Sequence, residues 1–242
     1  MTPRPSLRIE RATPAAVAAE GLARRFGRRW VLRGIDLAVE PGQIVALTGR
    51  NGSGKTTLLR LVASVLRPTR GTVSVFGFDT RQEGAEVRPL IGLLGHSAGL
   101  YDDLTAGENL VFAQRMGGRP ADGALISAVL DRVGLAPFEF ERVRGFSAGM
   151  RRRLGLARLL LRPPRLLLLD EPYASFDEDG IDVVNAFATE IRAQGGAVLL
   201  STHDLSRAAL LIDRRLHIED GQIVETAELR GPTLAGSIEG RA

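Results

Sequence analysis

Gly49-Arg50-Asn51-Gly52-Ser53-Gly54-Lys55-Thr56-Thr57 decides how this chain is read. The stretch fits G-x-x-x-x-G-K-[ST], a phosphate-binding loop between a strand and a helix. Its glycines let backbone N–H groups curl around phosphate oxygens, and the helix that follows points its positive end at them. Lys55 is the single lysine among 32 basic residues, so the composition keeps an ammonium at one place only. A compact charge on a flexible stem can follow a phosphate into such a cradle, where a planar guanidinium fork would not fit. The flanks agree with the motif. Ile44 to Leu47 reads as a buried strand, and Thr57 to Leu66 is predicted to be a helix.

The lone lysine also removes a competitor. Guanine-specific P-loop proteins read their base with N-K-x-D, and there is no second lysine here to build it. A common GTPase is excluded.

Working outward, 242 residues suit one domain with an inserted lobe, and 44% hydrophobic content supplies a substantial core. The net charge of +4 comes from arginine spread along the chain, which reads as solvated faces and phosphate contacts. The absence of cysteine excludes disulfides and thiolate metal sites and suits a reducing compartment. No apolar run reaches the ~18–20 residues that span a bilayer, and the start does not read as a secretory signal. A soluble cytoplasmic chain is expected.

Short apolar runs at Ala15 to Ala19, Ile35 to Val39 and Thr72 to Phe76 read as strands, several of them antiparallel. Leu104 to Leu161 is mostly helical, with a capping-box start at Thr105-Ala106-Gly107-Glu108 and a second helix over Ala124 to Val133. Strands then return at Leu166 to Leu169, Ala197 to Leu200 and Leu216 to Ile218, with a helix over Ile181 to Arg192 and a hairpin turn at Asp220-Gly221. The expected fold is α/β: a P-loop NTPase (RecA-like) core with an antiparallel β subdomain and an inserted helical subdomain. The core is expected over 14–96 and 163–229, the helical subdomain over 97–162, and tails over 1–13 and 230–242.

Arg165 to Leu169 leads into Asp170 and Glu171, two acids at the C-terminal end of a buried strand. In an open parallel sheet that end binds ligands. Asp170 is placed to hold Mg²⁺ with the Thr56 hydroxyl. Glu171 can orient and deprotonate an attacking water. Alone, two acids after a strand would more often be a solvated helix cap; downstream of a P-loop they read as catalytic.

From about Leu22 to Glu225 the chain resembles the ATP-binding subunits of ABC transporters. Phe146-Ser147-Ala148-Gly149-Met150, before the acids, corresponds to that family's L-S-G-G-Q signature. The resemblance implies ATP hydrolysis, with Gly49, Asn51, Gly52, Ser53, Gly54, Lys55, Thr56 and Thr57 forming the ATP cradle. Ser147 and Gly149 keep the signature positions that touch phosphate. Ala148 and Met150 are departures, and Ala148 is harmless only where the backbone φ is negative. Phe26 matches the aromatic that stacks on adenine. Asp177, after Ala174-Ser175-Phe176, matches the loop facing a partner subunit. His203 in Ser201-Thr202-His203-Asp204 matches the switch histidine at the γ-phosphate, and His217 reads as structural. Arg153 and Arg158 match basic positions of the signature helix, and the remaining arginines of the clusters Arg24 to Arg33 and Arg151 to Arg153 are expected to face water.

His96 stands where the family usually has a glutamine that meets the metal or water, and neutral imidazole can do either. Histidine there, Val143 to Met150, and Glu171-Pro172-Tyr173 resemble the haem-exporter branch linked to cytochrome c maturation. The resemblance implies Mg²⁺, two copies packed head to tail with ATP between them, and membrane-spanning subunits on the inner face of the cell membrane. No nucleic-acid partner is expected. A soluble ATPase of this fold acting on nucleic acid or ribosomes would carry two such domains or a long coiled-coil insertion. An inactive binding module is at odds with Lys55, Asp170, Glu171 and His203 occurring together.

Overall fold

Two sheets share one chain, and the way they divide the apolar residues explains the sequence pattern. The computed structural model describes residues 13–95, 99–174, 176–203 and 205–229. Strands β1 (Val17–Phe26) and β2 (Arg29–Val39) form a hairpin, followed by β3 (Ile44–Thr48) and helix α1 (Lys55–Val62). Next come β4 (Arg70–Val75), β5 (Phe78–Asp79), a single turn α2 (Gly84–Val87) and β6 (Ile91–Leu94). Helices α3 (Ala106–Met116), α4 (Gly123–Arg132) and α5 (Ala148–Leu160) then run consecutively. The chain closes with β7 (Leu166–Asp170), α6 (Glu178–Ala193), β8 (Ala197–Ser201), β9 (Arg214–Glu219) and β10 (Gln222–Glu228).

The antiparallel sheet has the order β2-β1-β4-β5, and the larger sheet runs β10-β9-β3-β8-β7-β6. Within the larger sheet only the β9–β10 pair is antiparallel. Its central strands are buried on both faces, which is why they read as unbroken apolar runs rather than alternating ones. Ile44, Ala46, Leu167, Leu169, Val198 and Leu200 face a core shared with α3 to α6. Val45, Leu47, Leu166, Leu168, Ala197 and Leu199 face the other core, shared with α1 and the antiparallel sheet. Each fully buried leucine of β7 contributes about 1.5–3 kcal/mol through burial.

Helix starts follow their caps. Thr105 and Glu108 close the expected capping box on α3, with Glu108 N donating to Thr105 Oγ1 at 3.1 Å and Thr105 N to Glu108 Oε2 at 2.8 Å. Asp122 caps α4 and Asp177 caps α6. The turn at Asp220-Gly221 has positive φ at both residues (47° and 78°), as a two-residue hairpin of matching twist requires.

Three expectations need correction. The helix after the P-loop spans Lys55–Val62 rather than Thr57 to Leu66, because Ser64 adopts φ 58° and the N–H groups of Val65 and Leu66 both turn back to Arg60 O. The first strand runs to Phe26 because it pairs with β2 down to Phe26–Arg29, through register shifts that periodicity does not reveal. The arginine run 151–153 does not simply face water: Arg152 is 7% exposed.

Candidate active site

β3 delivers the loop. Gly49 sits at φ 139°, and a Cβ there would come within 2.2 Å of Ile218 O on β9. Gly54 is the residue before α1, at φ 115°, where a Cβ would meet Leu32 Cδ2 at 2.6 Å. Both positions therefore require glycine, for space as well as for conformation. No side chain caps α1, so its first-turn N–H groups face the loop. Ser53 Oγ is buried and has no hydrogen-bond partner among the described residues. Lys55, 6% exposed, donates from Nζ to Gly49 O at 2.8 Å and Arg50 O at 3.3 Å. Lys55 and the start of α1 line a cleft of about 320 Å³ with Arg29, Asn51, Gly52 and Glu171, and Ser53 lines a neighbouring one of about 330 Å³. An orphaned buried hydroxyl, a helix N-terminus and a lone ammonium together fit a polyphosphate.

The acids lie beside that cleft because of strand order. β8 lies between β3 and β7, with Ser201 in register with both Leu47 and Asp170. Asp170, 3% exposed, accepts at Oδ1 from Thr56 Oγ1 at 3.0 Å and from Ser201 Oγ at 2.7 Å. Ser201 Oγ in turn accepts from Glu171 N at 3.0 Å. Glu171 has φ 48°, a left-handed backbone that costs a non-glycine residue on the order of 1–2 kcal/mol. Its carboxylate extends toward the loop, with Oε1 4.0 Å from Lys55 Nζ and Oε2 2.8 Å from His203 Nδ1. The sheet thus assembles Lys55, Thr56, Asp170, Glu171 and His203 beyond the C-terminal ends of β3, β7 and β8.

Mg²⁺ prefers hard oxygen ligands and needs only one or two protein groups when substrate phosphates supply more. The Thr56 hydroxyl and Asp170 carboxylate, already within hydrogen-bonding distance, fit that requirement. His96, the remaining expected metal contact, lies outside the described residues.

Other expected residues lie apart from this cluster. Ser147 is the N-cap of α5, its Oγ accepting from Met150 N at 3.2 Å, and it is exposed along with Ala148. Ala148 is the first helical residue and not among the non-glycine residues with positive φ, so its methyl group introduces no strain. Gly149 is the next residue of the helix, and nothing joins it to the P-loop among the described hydrogen bonds. Phe26, 45% exposed, lies at the tip of the β1–β2 hairpin with the Arg24 guanidinium 4.6 Å from its ring centroid. Asp177 caps α6 through Gly180 N at 3.0 Å and pairs with Arg153. Its carboxyl is held below the usual carboxylate range, first by the Gly180 N–H and then by Arg153. His217 Nδ1 lies 3.0 Å from Thr48 Oγ1, beneath the loop. Arg158 donates to Gly99 O at 2.7 Å.

Two participants escaped the sequence reading. Ser201 joins both acids, and its only signal was its place two residues before His203 at a strand end. Arg152 donates to the main-chain oxygens of both Asp170 and Glu171 at 2.6 Å. A run of three arginines carries no signal of which one turns inward.

Comparisons agree with the geometry. The ABC transporter family profile matches residues 32–174. The ABC transporter ATP-binding protein NatA of Bacillus subtilis is 37% identical over 80% of this chain and 80% of its own length. The cytochrome c biogenesis ATP-binding export protein CcmA of Methylococcus capsulatus is 40% identical over 78% of this chain and 91% of its own. The solved dimeric ATP-binding cassette MJ0796, bound to ADP and Pi in a post-hydrolysis state, superposes with a TM-score of 0.80 at 25% identity, covering 89% of this chain and 99% of that one. Phosphate loop, paired acids, sheet order and relatives lead to one assignment: the chain belongs to the ABC transporter family and is an ATP-binding, ATP-hydrolysing subunit.

Proposed function

We propose that Glu171 is the general base of this ATPase. Its carboxylate takes a proton from the attacking water as the water oxygen bonds to the γ-phosphorus and the bond to the ADP oxygen breaks. The observation that carries this reading is the contact of Glu171 with His203 at 2.8 Å, one residue from the Thr56–Asp170 pair. His203 orients the Glu171 carboxylate and meets the γ-phosphate. Lys55 neutralises charge on the phosphates, which Gly49, Asn51, Gly52, Ser53, Gly54, Thr56 and Thr57 cradle. Thr56 and Asp170, with His96 from the resemblance, hold Mg²⁺, which when bound would screen the charge gathering on the phosphate oxygens. Phe26 stacks on adenine.

The exposed N-terminus of α5, with Ser147 and Gly149, serves the ATP of a second copy, and Asp177 faces that copy. The dimeric state of MJ0796 supports this arrangement. The helical segment 97–162 moves against the core segments 14–96 and 163–229 as ATP is bound and spent. Between α3, α5 and the core lies a groove of about 370 Å³ that exposes Tyr101, Phe112 and Met116. No helix among the described residues is long and apolar enough to cross a membrane. With its exposed aromatic and methionine side chains the groove suits a segment of a separate membrane-spanning subunit, with this chain at the inner face of the cell membrane.

Haem export for cytochrome c biogenesis is the proposed task, supported by the CcmA relative and by the histidine at position 96. Export of another cargo is the second reading, favoured by the likeness to NatA. Glu171→Gln tests the chemistry. Turnover of Mg·ATP should fall by about 10²–10⁴ with ATP still bound, the usual worth of a general base. Wild-type turnover would remove Glu171 from the role.

A further inference from the structure

Arg152 takes no part in the chemistry just described, yet it lies buried directly beneath it. A helix turns about 100° per residue, so three successive arginines leave α5 in different directions. Arg151 reaches Asp102, Arg153 reaches Asp177, and Arg152 turns inward. Its Nη2 donates at 2.6 Å to Asp170 O and at 2.6 Å to Glu171 O. The two carbonyls flank the φ rotation of Glu171, which stands at 48°, so a nitrogen bonded to both resists rotation there.

The placement is costly, which argues against simple space-filling. Burial works against the charge of Arg152, and only the nearby Asp170 and Glu171 offset it. Its Nε is buried without a hydrogen-bond partner among the described residues, and the Phe176 ring centroid lies 6.0 Å from the guanidinium carbon. An apolar side chain of similar volume would fill this space without desolvating a cation. What it could not do is hold two carbonyls.

We propose that Arg152 is a positioning residue for hydrolysis: by clamping the main-chain oxygens of Asp170 and Glu171 it locks the left-handed turn at Glu171 and so aims that carboxylate. The proposal rests on the reading of Glu171 as the base. Ser201 fixes the same residue from the other side through the Glu171 N–H, so the peptide is held at both ends. Without the clamp the backbone relaxes and the carboxylate swings away from the water. The P-loop donors are untouched, so nucleotide binding is spared.

The test is a double-mutant cycle on the full chain, with ADP affinity measured by calorimetry alongside ATP turnover. Arg152→Met should lower kcat by about tenfold or more, the scale on which small misplacements act, with KM and ADP affinity unchanged. Arg152→Lys, which retains donors for both carbonyls, should recover part of the rate. In a Glu171→Gln background Arg152→Met should cost nothing further. Should Arg152→Met fail to fold, Arg152→Gln, too short to hold both carbonyls, carries the same cycle. Wild-type kcat, a kcat loss matched by lost ADP affinity, or losses that multiply with Glu171→Gln would each overturn the proposal. Unchanged turnover in Glu171→Gln alone would instead refute the reading of the base.

Discussion

Glu171 and Lys55 line one cleft, with Oε1 and Nζ 4.0 Å apart, and each is held in part by groups that take no part in the chemistry. Lys55 is steadied by the carbonyls of its own loop, so its removal should leave the fold intact and weaken phosphate binding. Lys55→Ala is expected to cost at least about 1.5–3 kcal/mol of ATP affinity, the scale of a hydrogen bond to a charged group. A calorimetric titration measures it. Ser201 is fully buried and its hydroxyl donates to Asp170 Oδ1, so Ser201→Ala removes a donor from a buried carboxylate, while Glu171 N keeps its bond to the main-chain oxygen at 201. A loss of about 1–3 kcal/mol in urea unfolding should follow. An unchanged midpoint would show that neighbouring groups or water replace the hydroxyl.

The helices carry their own punctuation, and two of the caps can be tested directly. Thr105→Ala removes the Oγ1 arm of the capping box on α3 while the main-chain N–H at 105 keeps its bond to Glu108, and should cost about 1 kcal/mol of stability in the same unfolding assay. Asp177 caps α6 with its carboxyl held below the ordinary range by Gly180 N–H and then Arg153. A carboxylate with a lowered folded-state value stabilises fully above the ordinary pKa of about 3.9 and loses that contribution as pH falls through its own lower value. Asp177→Ala should therefore unfold more easily than wild type at pH 7, and the two midpoints should converge as pH drops below about 3.9. A gap that stays constant with pH would remove the charge from the explanation.

At the scale of the molecule the six-stranded sheet gathers separate sequence motifs at the C-terminal ends of its inner strands. β8 lies between β3 and β7, so the P-loop, the acids and His203 emerge as neighbours although they are far apart in sequence. The start of α5 is exposed, and no described hydrogen bond joins Ser147 or Gly149 to the P-loop. Glu171→Gln with ATP should therefore shift the chain from monomer to dimer in light scattering, because slowed hydrolysis preserves the closed state. A monomer under saturating ATP would refute the shared site.

The P-loop, the paired acids and the capping box were legible because each depends on local chemistry. Glycines at 49 and 54, hydroxyls beside a lysine, and carboxylates after an apolar strand declare themselves at fixed spacing. The central strands were legible as well, since burial on both faces leaves an unbroken apolar run. Strand pairing beyond periodicity, as in β1, was not, because a register shift depends on the partner strand. Nor were Ser201 and Arg152. A serine at a strand end and one arginine among three have no local signature, and their roles arise from what the sheet order and the helix rotation bring against them. The sequence by itself determined which groups could do the chemistry. Only the tertiary structure decided which buried side chains hold them in place, because such contacts join residues whose separation along the chain carries no periodicity.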